Sequence, residues 1–270
     1  MSDPAIRQEA ADRRTRILRE LRAVGFLAIN DLARELAVSH MTIRRDLHAL
    51  EEAGQVRMVH GGVILTPESL RNGTFPDDGR EDARTRVAGC ATTMIDVRDT
   101  IALDAGPTAL AVARALPAGF AGSVITHSMP VLRLLDERPT SVRAVALGGE
   151  LLAERHAFVG PSTEAALEQL RARTFFLAPA AVDAHGCYAT SPAEASVQRH
   201  LVEIAERVVL VATDEVYASS APARIARLDR LTGLISDRPP PHGVATALRR
   251  AGVATHIVSV SRPRSSTSSS

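Results

Sequence analysis

Lysine is missing from this sequence: all 32 basic side chains are arginine. That excludes chemistry built on a lysine amine, whether a Schiff base or a lysine acting as acid or base. Tryptophan is absent and aromatic residues make up only 3%, so the cores must be packed from Leu, Val, Ile and Ala, which the 45% hydrophobic share supplies. Cys90 and Cys187 stand far apart with no metal-ligand spacing. They are expected as two reduced, buried thiols, which leaves neither a disulfide framework nor a zinc site, and neither metal nor cofactor is expected. No uninterrupted apolar stretch reaches membrane-spanning length and no continuous apolar segment marks a leader, so a soluble cytoplasmic protein with no membrane partner is expected. The 270 residues suffice for one small and one medium domain. The formal net charge is only +1, and acids nearly balance arginines across residues 1–62. Attraction to a polyanion must therefore come from local placement.

Residues 38–62 hold the strongest pattern. Ser39 is a good N-cap, since its hydroxyl can accept a free amide of a first helical turn, and Gly54 supplies a left-handed residue at which a helix stops. Between them Ile43, Leu47 and Leu50 recur at helical spacing, while His40, Met41, Arg44, Arg45 and His48 project on the other faces. Upstream, Asn30 is expected to cap a short helix with Leu32, Ala33 and Leu36 inward, and an earlier helix carries Ile17, Leu18 and Leu21. Downstream, Val56 to Gly62 reads as a short hairpin carrying Arg57 and His60. Together these predict a winged helix-turn-helix over residues 1–65, reading double-stranded DNA. The plainer alternative is a small helical domain with a solvated arginine pair, but spacing, arginines and wing occur here together and in order. Thr42, Arg44 and Arg45 are the candidates for operator contact; Ser39, His40 and Met41 lie at the same helix start, and Arg57 and His60 lie on the wing.

The run Asp31-Leu32-Ala33, Val38-Ser39, Thr42-Ile43-Arg44-Arg45-Asp46-Leu47, Leu50-Glu51, Gly54, Arg57, His60-Gly61-Gly62 resembles the DNA-binding domain of the DeoR family of bacterial transcription regulators. The second domain of that family is similar to the ribose-5-phosphate isomerase fold, and the resemblance covers nearly the whole chain.

Residues 66–82 gather Pro67, Asn72, Gly73, Pro76, Asp77, Asp78 and Gly79 without apolar periodicity and are expected as a linker. Residues 261–270 are Ser-rich, with nothing to bury, and are expected to be disordered. Across residues 83–260 short apolar runs alternate with amphipathic ones, which predicts a mainly parallel α/β domain. Strands are expected at 100–103, 123–126, 143–147, 174–178, 207–212 and 233–236, and helices at 85–94, 108–116, 130–136, 162–170, 193–204 and 243–251.

In open α/β sheets ligands bind beyond the carboxyl ends of the strands. Asp104-Ala105-Gly106-Pro107-Thr108 follows the first strand, where a glycine and a helix amino end suit an anion or simply a tight turn. The resemblance implies Asp-Ser-Gly-Thr-Thr and a sugar phosphate here; Ala105 and Pro107 each remove a hydroxyl. His127 follows the second strand, fitting either a ligand contact or a structural role, at a place where the resemblance implies asparagine. Gly148 and Gly149 follow the third and fit either close packing or ligand approach. Asp183, Gly186 and Glu194 match the family pattern in part. Asp104, Gly106, Thr108, His127, Gly148, Gly149, Asp183 and Gly186 are the candidate effector residues. Gln198 stands where the resemblance implies a lysine, and a second lysine is missing near Asp214.

The resulting expectation is a ligand-controlled regulator, a repressor of sugar metabolism acting as a homodimer or homotetramer and retuned by a phosphorylated sugar. The competing readings are an isomerase with a DNA-binding appendage, against which the missing lysines weigh, and a regulator that no longer senses an effector.

Overall fold

The structure, a computed structural model, describes residues 4–24, 26–59, 61–65, 75, 78–138 and 142–258. His60, most of the expected linker and the Ser-rich tail lie outside the described residues. The chain divides into two compact units, residues 1–81 and 82–270.

The first unit runs α1 (Pro4–Val24), β1 (Phe26–Ala28), α2 (Ile29–Glu35), α3 (His40–Glu52), β2 (Val56–Val59) and β3 (Gly62–Leu65). Ile17, Leu18 and Leu21 of α1, Leu32 and Ala33 of α2, and Ile43, Leu47 and Leu50 of α3 close on one core with Val56 and Val63 of the hairpin. The helical spacing of each set thus becomes a single buried cluster. Between α2 and α3 the chain reverses through Ala37 in the left-handed region (φ 52°), with the Val38 amide bonded to the Ala33 carbonyl at 3.1 Å. Asn30 does not cap α2. The helix begins at Ile29, whose amide reaches the Gly61 carbonyl of the wing turn (3.2 Å), so the wing replaces a side-chain cap. β1 was not expected; it pairs antiparallel with β3 and makes the wing three-stranded, in the order β1-β3-β2. Gly62 permits that pairing, because a Cβ there would stand 2.4 Å from the Leu27 carbonyl oxygen and 2.5 Å from the Phe26 ring.

The second unit runs α4 (Glu81–Thr92), β4 (Thr100–Leu103), α5 (Pro107–Ala115), β5 (Ser123–Thr126), α6 (Met129–Asp136), β6 (Arg143–Ala146), β7 (Glu150–Leu152), a 3-10 turn (Ala153–Arg155), β8 (Ala157–Val159), α7 (Pro161–Leu167), β9 (Ala172–Leu177), β10 (Ala181–Asp183), β11 (Gly186–Ala189), α8 (Pro192–Ile204), β12 (Ala205–Ala212), α9 (Glu215–Ala218), β13 (Ala223–Ala226), β14 (Gly233–Ser236), α10 (His242–Arg250) and β15 (Ala254–Ile257). α4 takes in Glu81 and Asp82 from the expected linker.

Seven strands form one parallel sheet in the order β15-β14-β12-β9-β4-β5-β6. Consecutive residues of β9, Phe175, Phe176 and Leu177, are all fully buried. Since successive side chains point to opposite faces, the sheet is covered on both. The edge strand β15, absent from the sequence reading, is exposed along its length, which removes the apolar signal that would have marked it. Two small antiparallel additions were also unexpected: β7 with β8, and β10-β11-β13. Chain order reverses between β4 and β9, the place where such sheets open a crevice at their carboxyl ends.

Cys187 is buried, and burial with the nearby Asp183 charge pushes its thiol up to about 12. Cys90 is only half-buried: α4 turns Val87, Ala88 and Ala91 inward and leaves Cys90 at the margin of that face. Both thiols are free.

The buried face of α3 also carries Asp46, whose carboxylate meets the Arg13 guanidinium of α1 at 2.6 Å, with side-chain exposures of 7% and 14%. Removing one partner strands a charge next to the core. Asp46→Ala is therefore expected to lower the stability of the first unit by about 2–3 kcal/mol, read as a drop in the urea midpoint of its far-ultraviolet transition. An unchanged midpoint would show that the pair contributes nothing to locking α3 onto α1.

Candidate functional site

In the first unit α3 begins where the cap predicts. Ser39 Oγ accepts the Thr42 amide (3.1 Å) and lies 2.9 Å from Thr42 Oγ1, so the Thr42 hydroxyl is tied to the cap. At the other end Gly54 adopts φ 69° and the Gln55 amide returns to the Leu50 carbonyl. With Ile43, Leu47 and Leu50 inward, His40, Met41, Arg44, Arg45 and His48 are exposed, Met41 to 71%. Among the described residues Arg13, Arg16 and Arg34 each meet a carboxylate. Arg44, Arg45 and Arg57 do not. Their guanidiniums stay available to an outside anion, and two of them sit in the first half of a helix with a free face. Arg57 is exposed on β2, and the wing is fastened to the end of α3 by the Met58 amide bonded to Glu51 Oε1 (2.8 Å).

In the second unit the crevice at the β4/β9 reversal is organised by one carboxylate. Asp104, fully buried, accepts the Ala105 amide on Oδ1 (2.8 Å) and the Ala178 amide beyond β9 on Oδ2 (2.9 Å). Gln198 of α8 donates its Nε2 to both oxygens (3.0 and 2.9 Å). His127 Nε2 lies 3.2 Å from Oδ1, while its Nδ1 lies 3.0 Å from the Phe158 carbonyl of β8. The ring is thus fixed between the carboxylate and the hairpin backbone, with an oxygen atom facing each nitrogen. A carboxylate with this many donors is held by structure on every side; Asp104 is the hub of the crevice.

The β7–β8 hairpin folds over this edge. The Phe158 amide bonds the His127 carbonyl (2.8 Å), the Met129 amide bonds the His156 carbonyl (2.9 Å), and Ser128 pairs with Ala157. The 3-10 turn before β8 ends at His156 in the left-handed region (φ 50°) and delivers Arg155. Its Nε meets Glu194 Oε1 at 2.8 Å, and its Nη2 stands 3.4 Å from where a Cβ on Gly106 would lie. Gly106 (φ 120°) precedes α5, Pro107 is its first residue, and the first bond within the helix is from the Leu110 amide, which leaves the amides of Thr108 and Ala109 without an intrahelical acceptor.

The eight sequence candidates are therefore not one cluster. Asp104 and His127 are in direct contact, with Gly106 and Thr108 on the turn that follows. Gly149 (φ 152°) serves packing, because a Cβ would stand 2.1 Å from Thr163 Oγ1, and that hydroxyl donates to the Gly148 carbonyl (2.8 Å). Asp183 forms the β10–β11 turn, accepting the His185 and Gly186 amides at 2.7 and 3.0 Å, and Gly186 lies against the Ala226 carbonyl of β13. A groove of about 610 Å³ opens beside this hairpin, lined by His185, Arg224, Arg227 and Arg250 among others and by none of the Asp104 group. Sequence reasoning missed Arg155. Its one signal was a charged Glu-Arg-His triplet between the glycine pair and Gly160.

Among the described residues no helix is long and apolar enough to cross a membrane, and no three His, Cys, Asp or Glu side chains converge on a metal position.

Comparison with known proteins matches residues 13–68 to the DeoR-like helix-turn-helix domain and residues 80–238 to the DeoR C terminal sensor domain. Transcriptional repressor AccR of Agrobacterium fabrum is 32% identical over 232 residues, covering 84% of this chain and 89% of the relative. HTH-type transcriptional repressor CsqR of Escherichia coli is 29% identical over 230 residues, covering 83% and 87%. Both relatives are transcriptional repressors. Among solved structures, ribose 5 phosphate isomerase A from Neisseria gonorrhoeae aligns at 13% identity and a TM-score of 0.37, over 52% of this chain and 55% of that one.

Truncating Asp104 would leave the Ala105 and Ala178 amides, Gln198 Nε2 and His127 facing no acceptor in a buried place. Asp104→Ala is expected to cost on the order of 3 kcal/mol of unfolding free energy in the second unit, measured by denaturant titration. A loss under about 1 kcal/mol would mean that water or a shifted side chain replaces the carboxylate.

Proposed function

The chain belongs to the DeoR family and is a DNA-binding transcription regulator, not an enzyme; on that premise we propose that it is a cytoplasmic repressor of a sugar-metabolism operon. α3 enters the major groove of operator DNA, with Arg44 and Arg45 reaching guanine edges or phosphates and Thr42, His40 and Met41 beside them. Arg57 and His60 of the wing meet an adjacent phosphate or the minor groove. Two or four copies associate through the second unit and bind paired half-sites. A phosphorylated sugar bound at the Asp104 crevice shifts the protein between DNA-competent and DNA-incompetent states, which requires that it bind one state more tightly than the other.

The observation that carries the reading is the contrast among arginines within the first unit. Arg13 and Arg16, which reach from α1 to α3 and α2, meet carboxylates there, whereas the pair on the exposed face of the capped helix meets none. Unpaired guanidiniums on a rigid helix are what a phosphate-rich groove requires, and a domain without a net basic charge needs them placed there.

The test is a mobility-shift titration with promoter fragments from the source genome. Arg44→Ala and Arg45→Ala are each expected to weaken specific binding by on the order of 1–3 kcal/mol, with unchanged circular dichroism. Loss at a base-reading arginine alters sequence preference, and loss at a phosphate contact lowers the salt dependence instead. Retardation indistinguishable from the parent in both variants would reject the recognition-helix assignment. A panel of sugar phosphates beside the same sugars without phosphate then tests the effector: release of DNA by a phosphorylated member alone is the expected outcome.

A further inference from the structure

We propose that Arg155 binds the anionic group of the effector at the amino end of α5 and that Glu194 is its positioning residue. The inference rests on the reading of the second unit as an effector domain, and it names the side chain that makes this chain's crevice select an oxyanion, phosphate first, without any lysine.

The geometry divides the work between the two side chains. Glu194, 1% exposed, takes the Nε side of the guanidinium with Oε1 at 2.8 Å. Its other oxygen is committed to Thr190, accepting the hydroxyl at 2.7 Å and the amide at 3.3 Å. The carboxylate therefore cannot swing to cover the rest of the arginine. Among the described residues the terminal nitrogens have no acceptor, and Nη2 lies over Gly106 at the turn into α5. A guanidinium edge and the open amides of Thr108 and Ala109 thus flank one position, a combination suited to a tetrahedral oxyanion. Gly106 keeps that position clear, since its missing Cβ would sit 3.4 Å from Nη2.

A second, independent feature points to a ligand. Gln198 is 1% exposed, and its Nε2 is committed to Asp104, yet among the described residues its Oε1 has no hydrogen-bond partner. A buried amide oxygen left bare is costly unless something donates to it. A hydroxyl beside the anionic group would do so. The effector class is then a phosphorylated polyhydroxy compound, its phosphate at Arg155 and a hydroxyl at Gln198.

The test is isothermal titration of the full chain with inorganic phosphate, at ionic strength balanced with chloride. The parent is expected to bind, R155M to bind about tenfold more weakly or worse, and R155K severalfold more weakly, because an ammonium lacks the fork. E194Q separates positioning from simple electrostatics. Removing a negative charge tightens an anion by charge alone, whereas releasing Arg155 weakens it, so weaker binding is expected. Each variant is compared at a temperature where its own unfolding curve shows it folded; if R155M does not fold, R155K and E194Q carry the test. Parent-like affinity in R155M, or in R155K when it stands in, overturns the assignment of Arg155 while leaving an effector site in place. Tighter binding by E194Q overturns the role of Glu194. Absence of phosphate binding by the parent overturns the inference, and a parent that nonetheless releases DNA with an unphosphorylated sugar separates that failure from failure of effector sensing itself.

Discussion

The second unit depends on the Asp104 carboxylate. It lies where chain order in the parallel sheet reverses, and its hydrogen bonds join the turn after β4, the turn after β9, the histidine after β5 and the middle of α8. A buried anion is tolerable only when donors surround it, and here they come from segments up to 94 positions away in sequence. Each of those segments is thereby held at the crevice. The carboxylate is more a tie between strands than a free group awaiting a ligand, and the proposed ligand contacts are therefore groups around it: the α5 amides, the Gln198 oxygen and Arg155.

The two units solve the problem of charge in the same way. Arginine is the sole basic side chain apart from histidine, and at contacts between elements it is matched to an acceptor: Arg13 with Asp46, Arg155 with Glu194 and Arg173 with Asp99, but Arg207 with the Thr174 hydroxyl and Arg138 with carbonyls at the end of α5. What remains unmatched among the described residues then has meaning. On α3 the unmatched pair faces outward from a helix whose other side is locked into the core. At the crevice a partly matched guanidinium turns its open edge to a helix amino end. Overall charge, at +1, predicts neither.

Much of the architecture was legible in sequence. Six of the seven strands of the parallel sheet and the helices between them fall within a few residues of the expected spans, because buried strands are short apolar runs and helices keep their 3.6-residue period. Ser39, Gly54 and the Ile43, Leu47, Leu50 stripe were readable for the same reason: a cap and a stop act within three or four residues. Asn30 misled because its chemistry suits a cap, whereas the Gly61 carbonyl, brought in by the wing, already satisfies the helix start. The glycine pair at 148 and 149 left packing and ligand approach open. Only the position of Thr163 shows what a side chain at Gly149 would strike.

By itself the sequence determined the local order of elements, the capped helix with its outward arginines and the class of fold, since all of these rest on hydrogen bonds and apolar contacts between near neighbours in the chain. Tertiary structure alone decided which charges meet. Gln198 in place of a lysine reads in sequence as a lost cation, yet Arg155, 39 positions from its partner Glu194, reaches the turn into α5 from a hairpin that carries no strong strand signal. Coulombic and hydrogen-bond partners are chosen by distance in space, and a linear pattern with a period of two or four residues holds no record of it.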